Sequence, residues 1–140
     1  MIVKFGQYKI QLKHENQTKF IYDIVRKKWI VTTPEEEVRQ LWLHFLHFDK
    51  GFSLSKIAVE KGLQINDRLK RFDICIFDEM AKPQILIECK APNQKLSANT
   101  WEQLARYNLH LEAKIFIITN GLSHLGYAIE NNEIKELEAL

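Results

Sequence analysis

The chain has 140 residues, of which 46% are hydrophobic and 27% charged, with a formal net charge of +2 at pH 7. This size and composition predict one globular domain, residues 1–140, and exclude a helical membrane protein because no apolar run is long enough. Since residues 1–4 open no signal peptide and two cysteines suit a reducing compartment, we expect a cytoplasmic protein with no membrane partner. The mild positive charge permits nucleic-acid binding without requiring it.

The first 33 residues predict an N-terminal β extension. Residues 8–13 and 19–25 alternate apolar and polar side chains, as half-buried strands do, and residues 14–17 are expected to form the turn between them. Residues 29–31 predict a third short strand.

A helix is expected to begin after Thr33. Thr33 is a favourable N-cap, Pro34 suits the first helical position, and Glu36 would complete a capping box. The apolar side chains at helical spacing, which predict the buried stripe, are Val38, Leu41, Trp42 and Phe45.

The rest of the chain predicts a mixed α/β core over residues 34–121 and a terminal hairpin over residues 122–140. The expected elements are strands at 57–63, 68–77, 84–91 and 114–119, a helix at 98–111, and hairpin strands at 127–130 and 133–137. Strands 68–77 and 84–91 should pair as a hairpin. The run 115–118 is entirely apolar, which favours a central strand covered on both faces. Periodicity alone therefore gives the class mixed α/β.

Two acidic residues and a lysine interrupt apolar, strand-like runs. Asp73 lies in the first run, and Glu88 and Lys90 share one face of the second, because side chains alternate across a strand. Charges in such places are costly unless paired or bound to a metal. If the strands pair, Asp73 approaches Glu88, and the three groups suit a divalent cation and a phosphate. The alternative is a structural ion pair with Lys90 or Arg71.

The two cysteines are expected to remain free thiols. By alternation Cys75 should share a face with Asp73, whereas Cys89 should lie opposite Glu88. If the carboxylates share a site, the cysteines lie on opposite faces of the sheet and form no disulfide.

A series of stretches between about residues 24 and 121 resembles the PD-(D/E)XK nuclease superfamily, and most of all the N-terminal nuclease domain of type I restriction enzyme R subunits. Two of the stretches contain the acidic residues, Arg71-Phe72-Asp73 and Ile87-Glu88-Cys89-Lys90-Ala91-Pro92. The others are residues 26–31, 33–36, 38–40, 59–63, 103–108 and 119–121. Phe72 replaces the proline that gives the superfamily its name, at a position that is variable there.

The resemblance implies a restriction-endonuclease-like fold of order αβββαβ and a DNA endonuclease that requires Mg²⁺, with Mn²⁺ as a substitute. It implies that Asp73, Glu88 and the carbonyl of Cys89 hold the metal and that Lys90 is the catalytic lysine. Gln103 and Tyr107 match a Gln-XXX-Tyr element that supports activity or DNA contact. Their i, i+4 spacing places them on one face of a helix, where two polar residues are otherwise simply a helix flank.

The resemblance also implies a glutamate on the first helix that helps to hold the metal. At 100° per residue, Glu36 falls opposite the apolar stripe, on the solvent side, and Glu35 and Glu37 flank the stripe. The resemblance covers Glu37 least well, so Glu35 is the expected residue. The alternative is that all three are solvated acids that stabilise the helix N-terminus.

Other functions remain open from the sequence. The chain is too short to include the helicase motor of R subunits, so we expect a homodimer or a partner protein that supplies specificity or a motor. A non-catalytic nucleic-acid-binding or assembly module is the alternative, and RNA or branched DNA is an alternative substrate. Arg68, Lys70 and Arg71 are candidate phosphate contacts or a solvated surface. No aromatic-rich strand suited to single-strand stacking stands out.

Overall fold

The computed structural model describes residues 1–65, 67–97, 99 and 113–140. Within these ranges the strands are β1 (Leu12–Glu15), β2 (Thr18–Asp23), β3 (Lys28–Val31), β4 (Ile57–Ile65), β5 (Arg68–Phe77), β6 (Pro83–Cys89), β7 (Ile115–Thr119), β8 (His124–Glu130) and β9 (Glu133–Glu136). The helix α1 (Pro34–His44) continues into a π-helical segment, Phe45–Asp49, and a 3₁₀ turn follows at Leu54–Lys56. No helix in the described ranges is long and apolar enough to cross a membrane.

The strands form two sheets. One has three antiparallel strands in the order β1-β2-β3, and the other has six in the order β4-β5-β6-β7-β8-β9. In the larger sheet only β6 and β7 pair in parallel. The mixed α/β class, the β5–β6 hairpin and the central position of β7 are confirmed. Nearly all of the helix expected over residues 98–111 lies outside the described residues.

The N-terminal β extension exists, but the position expected for its first strand was wrong. Residues 8–11 precede β1, and residues 14 and 15, expected in the turn, belong to the strand. The turn consists of Asn16 and Gln17, with φ of 50° and 67°. A two-residue turn with positive φ at both positions matches the twist of the strands and fixes their register, which alternation alone does not reveal.

The terminal hairpin also forms around a two-residue turn. Asn131 and Asn132 have φ of 51° and 62°, and β8 and β9 pair on either side of them. The strand β8 begins at His124, three residues before the expected start, and pairs with β7. The hairpin therefore extends the large sheet.

Two apolar clusters lie on opposite faces of the large sheet. The cluster shared with α1 comprises Val38, Trp42, Leu43, Phe45, Leu46, Ile57, Ile74, Ile76, Ile85, Ile87, Cys89 and Ile117. The other comprises Phe72, Cys75, Leu86, Ala113, Phe116 and Ile118. The cysteines are free and lie in different clusters, as expected.

Alternation along β5 is interrupted at Asp73. Phe72 and Cys75 belong to the same cluster, although they are three residues apart, and Ile74 belongs to the other. The pairing of β4 with β5 skips Asp73 and Glu60, and Glu60 has φ of 55°. Asp73 therefore turns towards α1, and the expectation that it shares a face with Cys75 was wrong.

Candidate metal centre

The hairpin of β5 and β6 brings Asp73 and Glu88 together. The pairing of Ile74 with Ile87 sets the two carboxylates side by side. Asp73 Oδ2 accepts a hydrogen bond of 2.7 Å from the backbone N–H of Cys89, the residue after Glu88. The approach of the two acids expected from the sequence is therefore present in the fold.

Glu88 is a buried carboxylate with an unsatisfied oxygen. The residue is 7% exposed, and its Oε1 has no hydrogen-bond partner. Lys70 Nζ lies 3.5 Å from this oxygen, close enough for an ion pair but without hydrogen-bond geometry. Since buried polar atoms normally have partners, an unsatisfied carboxylate oxygen next to a second carboxylate fits a cation ligand.

The same surroundings raise the pKa of Glu88 to about 7. Burial is the largest cause, because it penalises the charged form, and the negative charge of Asp73 adds to it. The positive charges of Lys70 and Lys90 act in the opposite direction but do not offset the rise. A bound divalent cation would favour the charged form and reverse this shift.

Arg39 is a site residue that the sequence reasoning missed. It is 4% exposed, and its Nη2 donates a 2.8 Å hydrogen bond to Asp73 Oδ1. Its Nη1 donates to Glu36 Oε2 at 2.7 Å. Asp73 thus has an ion-pair partner, Arg39. This partner is not Lys90 or Arg71, the two residues considered from the sequence. The available signal was the i, i+3 spacing of Glu36 and Arg39 beside the apolar stripe.

The expected solvent position of Glu36 was wrong. Glu36 is 6% exposed and accepts hydrogen bonds from Arg26 Nη2 at 2.8 Å, Arg39 Nη1 at 2.7 Å and Gln40 Nε2 at 3.0 Å. The reason is that the end of β2 covers this side of α1, where Asp23 accepts a 2.9 Å hydrogen bond from Gln40. The helix is therefore covered on two sides. A helical wheel with one apolar stripe predicts that the side carrying Glu36 is exposed, although the fold buries it.

The N-cap is confirmed, and the other two helix glutamates are more exposed. Thr33 Oγ1 accepts a 3.0 Å hydrogen bond from the N–H of Glu36. The side chain of Glu35 is 44% exposed and lies 3.9 Å from Arg39 Nη2, the nitrogen that binds Asp73. Arg39 therefore lies between Glu35 and Asp73. Glu37 pairs with Lys19 at 3.1 Å.

Lys90 follows β6 directly and lies near the acidic pair. Its backbone N–H donates to Thr119 O at 2.7 Å, which fixes the chain where β6 ends beside β7. It lines a cavity of about 100 Å³ together with Gln94, Lys95, Leu96, Ser97 and Ile118. The other two expected site residues, Gln103 and Tyr107, lie outside the described residues.

Asp73 and Glu88 are two adjacent carboxylates that could hold a cation. In the part of the chain that the structure describes, no three His, Cys, Asp or Glu side chains converge on one point as a metal site. A carbonyl such as that of Cys89, water and phosphate oxygens would complete the shell, as is usual for Mg²⁺.

Two histidines at the end of α1 make hydrogen bonds to the backbone. His44 Nδ1 is bonded to the carbonyl of Gln40, and His47 Nδ1 is bonded to the carbonyl of Phe52.

Comparison with known proteins supports the resemblance in the sequence. Residues 34–140 match the family model "Type I restriction enzyme R protein N terminus", so the chain belongs to this family. No curated protein and no solved structure shows significant similarity to the chain. The match begins at the first residue of α1, so the strands β1 to β3 precede it.

Proposed function

We propose that this chain is a divalent-metal-dependent DNA endonuclease domain of the PD-(D/E)XK superfamily. The observation that carries the proposal is the paired carboxylates of Asp73 and Glu88, held together in buried strands. An unsatisfied oxygen on Glu88 and a pKa of about 7 mark an arrangement that is unfavourable without a cation. Such sites are typical of function rather than of stability.

Asp73, Glu88 and the carbonyl of Cys89 would hold Mg²⁺ or Mn²⁺. When bound, the cation lowers the pKa of a water molecule and offsets the negative charge of the phosphate. Lys90, at the end of β6, would orient the attacking water and stabilise the charge that develops on the phosphate oxygens. Glu35 would act from the far side of Arg39, and Gln103 and Tyr107 would have the supporting role that the resemblance implies.

The surroundings of Glu88 suit a polyanionic substrate. Lys70 lies 3.5 Å from Glu88 with its side chain 36% exposed, and Lys95 lines the cavity beside Lys90. These cations can neutralise backbone phosphates on either side of the bond that is cleaved. Sequence specificity would then come from a second copy of the chain or from a partner protein.

The first test is cleavage of supercoiled plasmid, linear duplex, single-stranded and branched DNA with Mg²⁺ or Mn²⁺. Wild type is compared with Asp73→Asn, Glu88→Gln and Lys90→Ala, and with Lys135→Ala, a control at an exposed lysine of β9. We expect the three site variants to be about 100-fold slower or worse, while the control matches wild type. Equal cleavage by wild type and Asp73→Asn would refute the proposed site.

One observation favours the alternative of a non-catalytic nucleic-acid-binding or assembly module. The guanidinium of Arg39 lies 2.8 Å from Asp73 and Lys70 Nζ lies 3.5 Å from Glu88, so the fold has a cation of its own at each of the two acids. Calorimetric titration with Mn²⁺ distinguishes the two functions. If the chain is a nuclease, wild type should bind Mn²⁺ and Asp73→Asn should not. If wild type neither binds Mn²⁺ nor cleaves DNA, the result supports the non-catalytic module.

A further inference from the structure

The three-stranded sheet has an outer face on which aromatic side chains are exposed. Strand pairing sets Phe20 opposite Val31 and Tyr22 opposite Trp29, so these four residues lie on one side. Ile21, on the other side, is 2% exposed and packs inward. Trp29 and Val31 are 36% and 53% exposed. Within the described residues, the three rings belong to neither apolar cluster.

The rings on this face are arranged together with a cation. The ring centroids of Tyr22 and Trp29 are 5.3 Å apart in an edge-to-face arrangement. Lys13, which pairs with Phe20, has its Nζ 4.7 Å from the Trp29 centroid and 5.5 Å from the Phe20 centroid. Aromatic faces beside lysines form the surface on which unpaired bases stack while phosphates meet positive charge.

The charge of this part of the chain identifies the kind of partner. Residues 1–33 contain seven basic and two acidic residues, a formal net charge of +5. Residues 34–140 contain thirteen basic and sixteen acidic residues. Lys27, in the turn before β3, and Lys28, the first residue of β3, are exposed. Lys13 on this face also pairs with Glu15 at 3.3 Å, and Lys19 and Arg26 pair with acids of α1. The exposed Lys27 and Lys28, which precede Trp29, therefore give this end of the aromatic face the positive charge that suits a polyanion.

We infer that the outer β face, formed by Lys13, Phe20, Tyr22, Trp29 and Val31, binds single-stranded nucleic acid. Unpaired bases have free π-faces for the three rings, whereas bases in a duplex already stack on one another. Sequence patterns show little sign of this surface, because no single strand is rich in aromatic residues. Pairing of β2 with β3 brings the rings together.

Contacts between charged side chains join the outer β face to the carboxylate pair. Arg26, in the turn between β2 and β3, binds Glu36 at 2.8 Å. Glu36 binds Arg39 at 2.7 Å, and Arg39 binds Asp73 at 2.8 Å. A nucleic-acid strand bound to the β2–β3 hairpin would therefore lie on an element that is fixed to the proposed cleavage site. This step alone rests on the proposed nuclease function.

The test is fluorescence anisotropy of a labelled oligo(dT) of 20 nucleotides and of a 20-base-pair duplex, in EDTA so that nothing is cleaved. Wild type is compared with Trp29→Ala, Trp29→Phe and Lys13→Ala. The matched control is Met80→Ala, which removes an exposed apolar side chain, 78% exposed, from the β5–β6 turn. Circular dichroism verifies that each variant is folded.

We expect wild type to bind oligo(dT) more tightly than duplex. The dissociation constant should rise about tenfold in Trp29→Ala, which loses the stacking of one base. Trp29→Phe keeps a ring and should lie near wild type, as should Met80→Ala. In Lys13→Ala, binding should weaken and the dependence on salt should become shallower.

Unchanged binding by Trp29→Ala, or tighter binding of duplex than of oligo(dT), would overturn the inference. So would the absence of oligonucleotide binding together with a dimer that Trp29→Ala dissociates, since the face would then join two copies of the chain. The binding assay is independent of cleavage. Weaker oligo(dT) binding by Trp29→Ala, with wild-type binding by Met80→Ala, would support the inference even if no nuclease activity is found.

Discussion

Glu88 is the residue whose chemistry depends most on its surroundings. Its pKa in the folded protein, about 7, lies above the ordinary value of 4.5. Between these two pH values the folded state keeps a proton that the unfolded chain has lost. The free energy of unfolding therefore falls as pH rises through this window, and the full cost of the buried charge is present above it.

This cost predicts that Glu88→Gln stabilises the metal-free protein at pH 8. A neutral amide of similar shape removes the buried charge and its repulsion with Asp73, which should raise the free energy of unfolding by roughly 1–3 kcal/mol. Below pH 4.5 the difference should vanish, because both side chains are then neutral. Urea unfolding in EDTA at pH 4 and pH 8 measures this. The exposed Glu130→Gln serves as the control, and equal stabilities of wild type and Glu88→Gln at pH 8 would contradict the prediction.

If Glu88 is a metal ligand, Mn²⁺ should raise the stability of the folded protein. A cation that binds the folded protein alone stabilises it by an amount that grows with the logarithm of its concentration relative to its dissociation constant, about 2.7 kcal/mol at 100 times that constant. We expect Mn²⁺ to raise the melting temperature of wild type at pH 8, and EDTA to reverse this. In Glu88→Gln and Asp73→Asn the shift should be absent. A shift of equal size in all three proteins would place the metal elsewhere.

At the scale of elements, α1 is fixed by a polar side as well as by an apolar one. Val38 and Trp42 pack into the core, while Glu36, Arg39 and Gln40 are buried against the end of β2 and against Asp73. The helix therefore connects the N-terminal sheet to the carboxylate pair through direct hydrogen bonds on both sides.

Removing Arg39 should be much more costly than removing a comparable exposed cation. Arg39→Ala leaves Asp73 without its ion-pair partner and Glu36 with only Arg26 and Gln40, and we expect a loss of about 3–5 kcal/mol in the free energy of unfolding. Lys19→Ala is the matched control, since Lys19 pairs with Glu37 on the same helix while 41% exposed; it should cost less than about 1 kcal/mol. Chemical denaturation at pH 7 compares the two, and similar losses would show that the network contributes little.

For the whole molecule, the family match and the folding unit are predicted to differ. The match starts at residue 34, yet Val3, Phe5 and Tyr8 pack against the cluster shared with α1. The N–H of Ile2 donates to Glu138 O at 2.7 Å, which ties the N-terminus to the chain after β9. The first 33 residues therefore complete the core.

Residues 34–140 alone should therefore fail to fold. Deletion of the first 33 residues exposes the apolar side chains around Trp42 and removes Arg26 and Asp23 from the buried charges of α1. We expect rapid proteolysis and no cooperative thermal transition for the fragment, in contrast to the full chain. A fragment that unfolds cooperatively near the melting temperature of the full chain would show that the extension is an independent addition.

Local patterns in the sequence determined much of this protein. Alternation and apolar runs located β4 to β7, Thr33 and Pro34 fixed the start of α1, and the acidic residues in apolar strands marked Asp73 and Glu88. These features depend on neighbours in the chain, so local rules suffice to find them. The turn at Asn131 and Asn132 follows from similar short-range chemistry.

Only the tertiary structure decided which charges are buried and with whom. Glu36 was expected in solvent because one helix has one apolar stripe, but a second sheet packs over its polar side. Arg39 meets Asp73 across 34 positions of the chain, and Tyr22 meets Trp29 through strand register. These contacts depend on how elements pack against one another, and the physical reason that sequence patterns miss them is that burial is a property of the assembled fold.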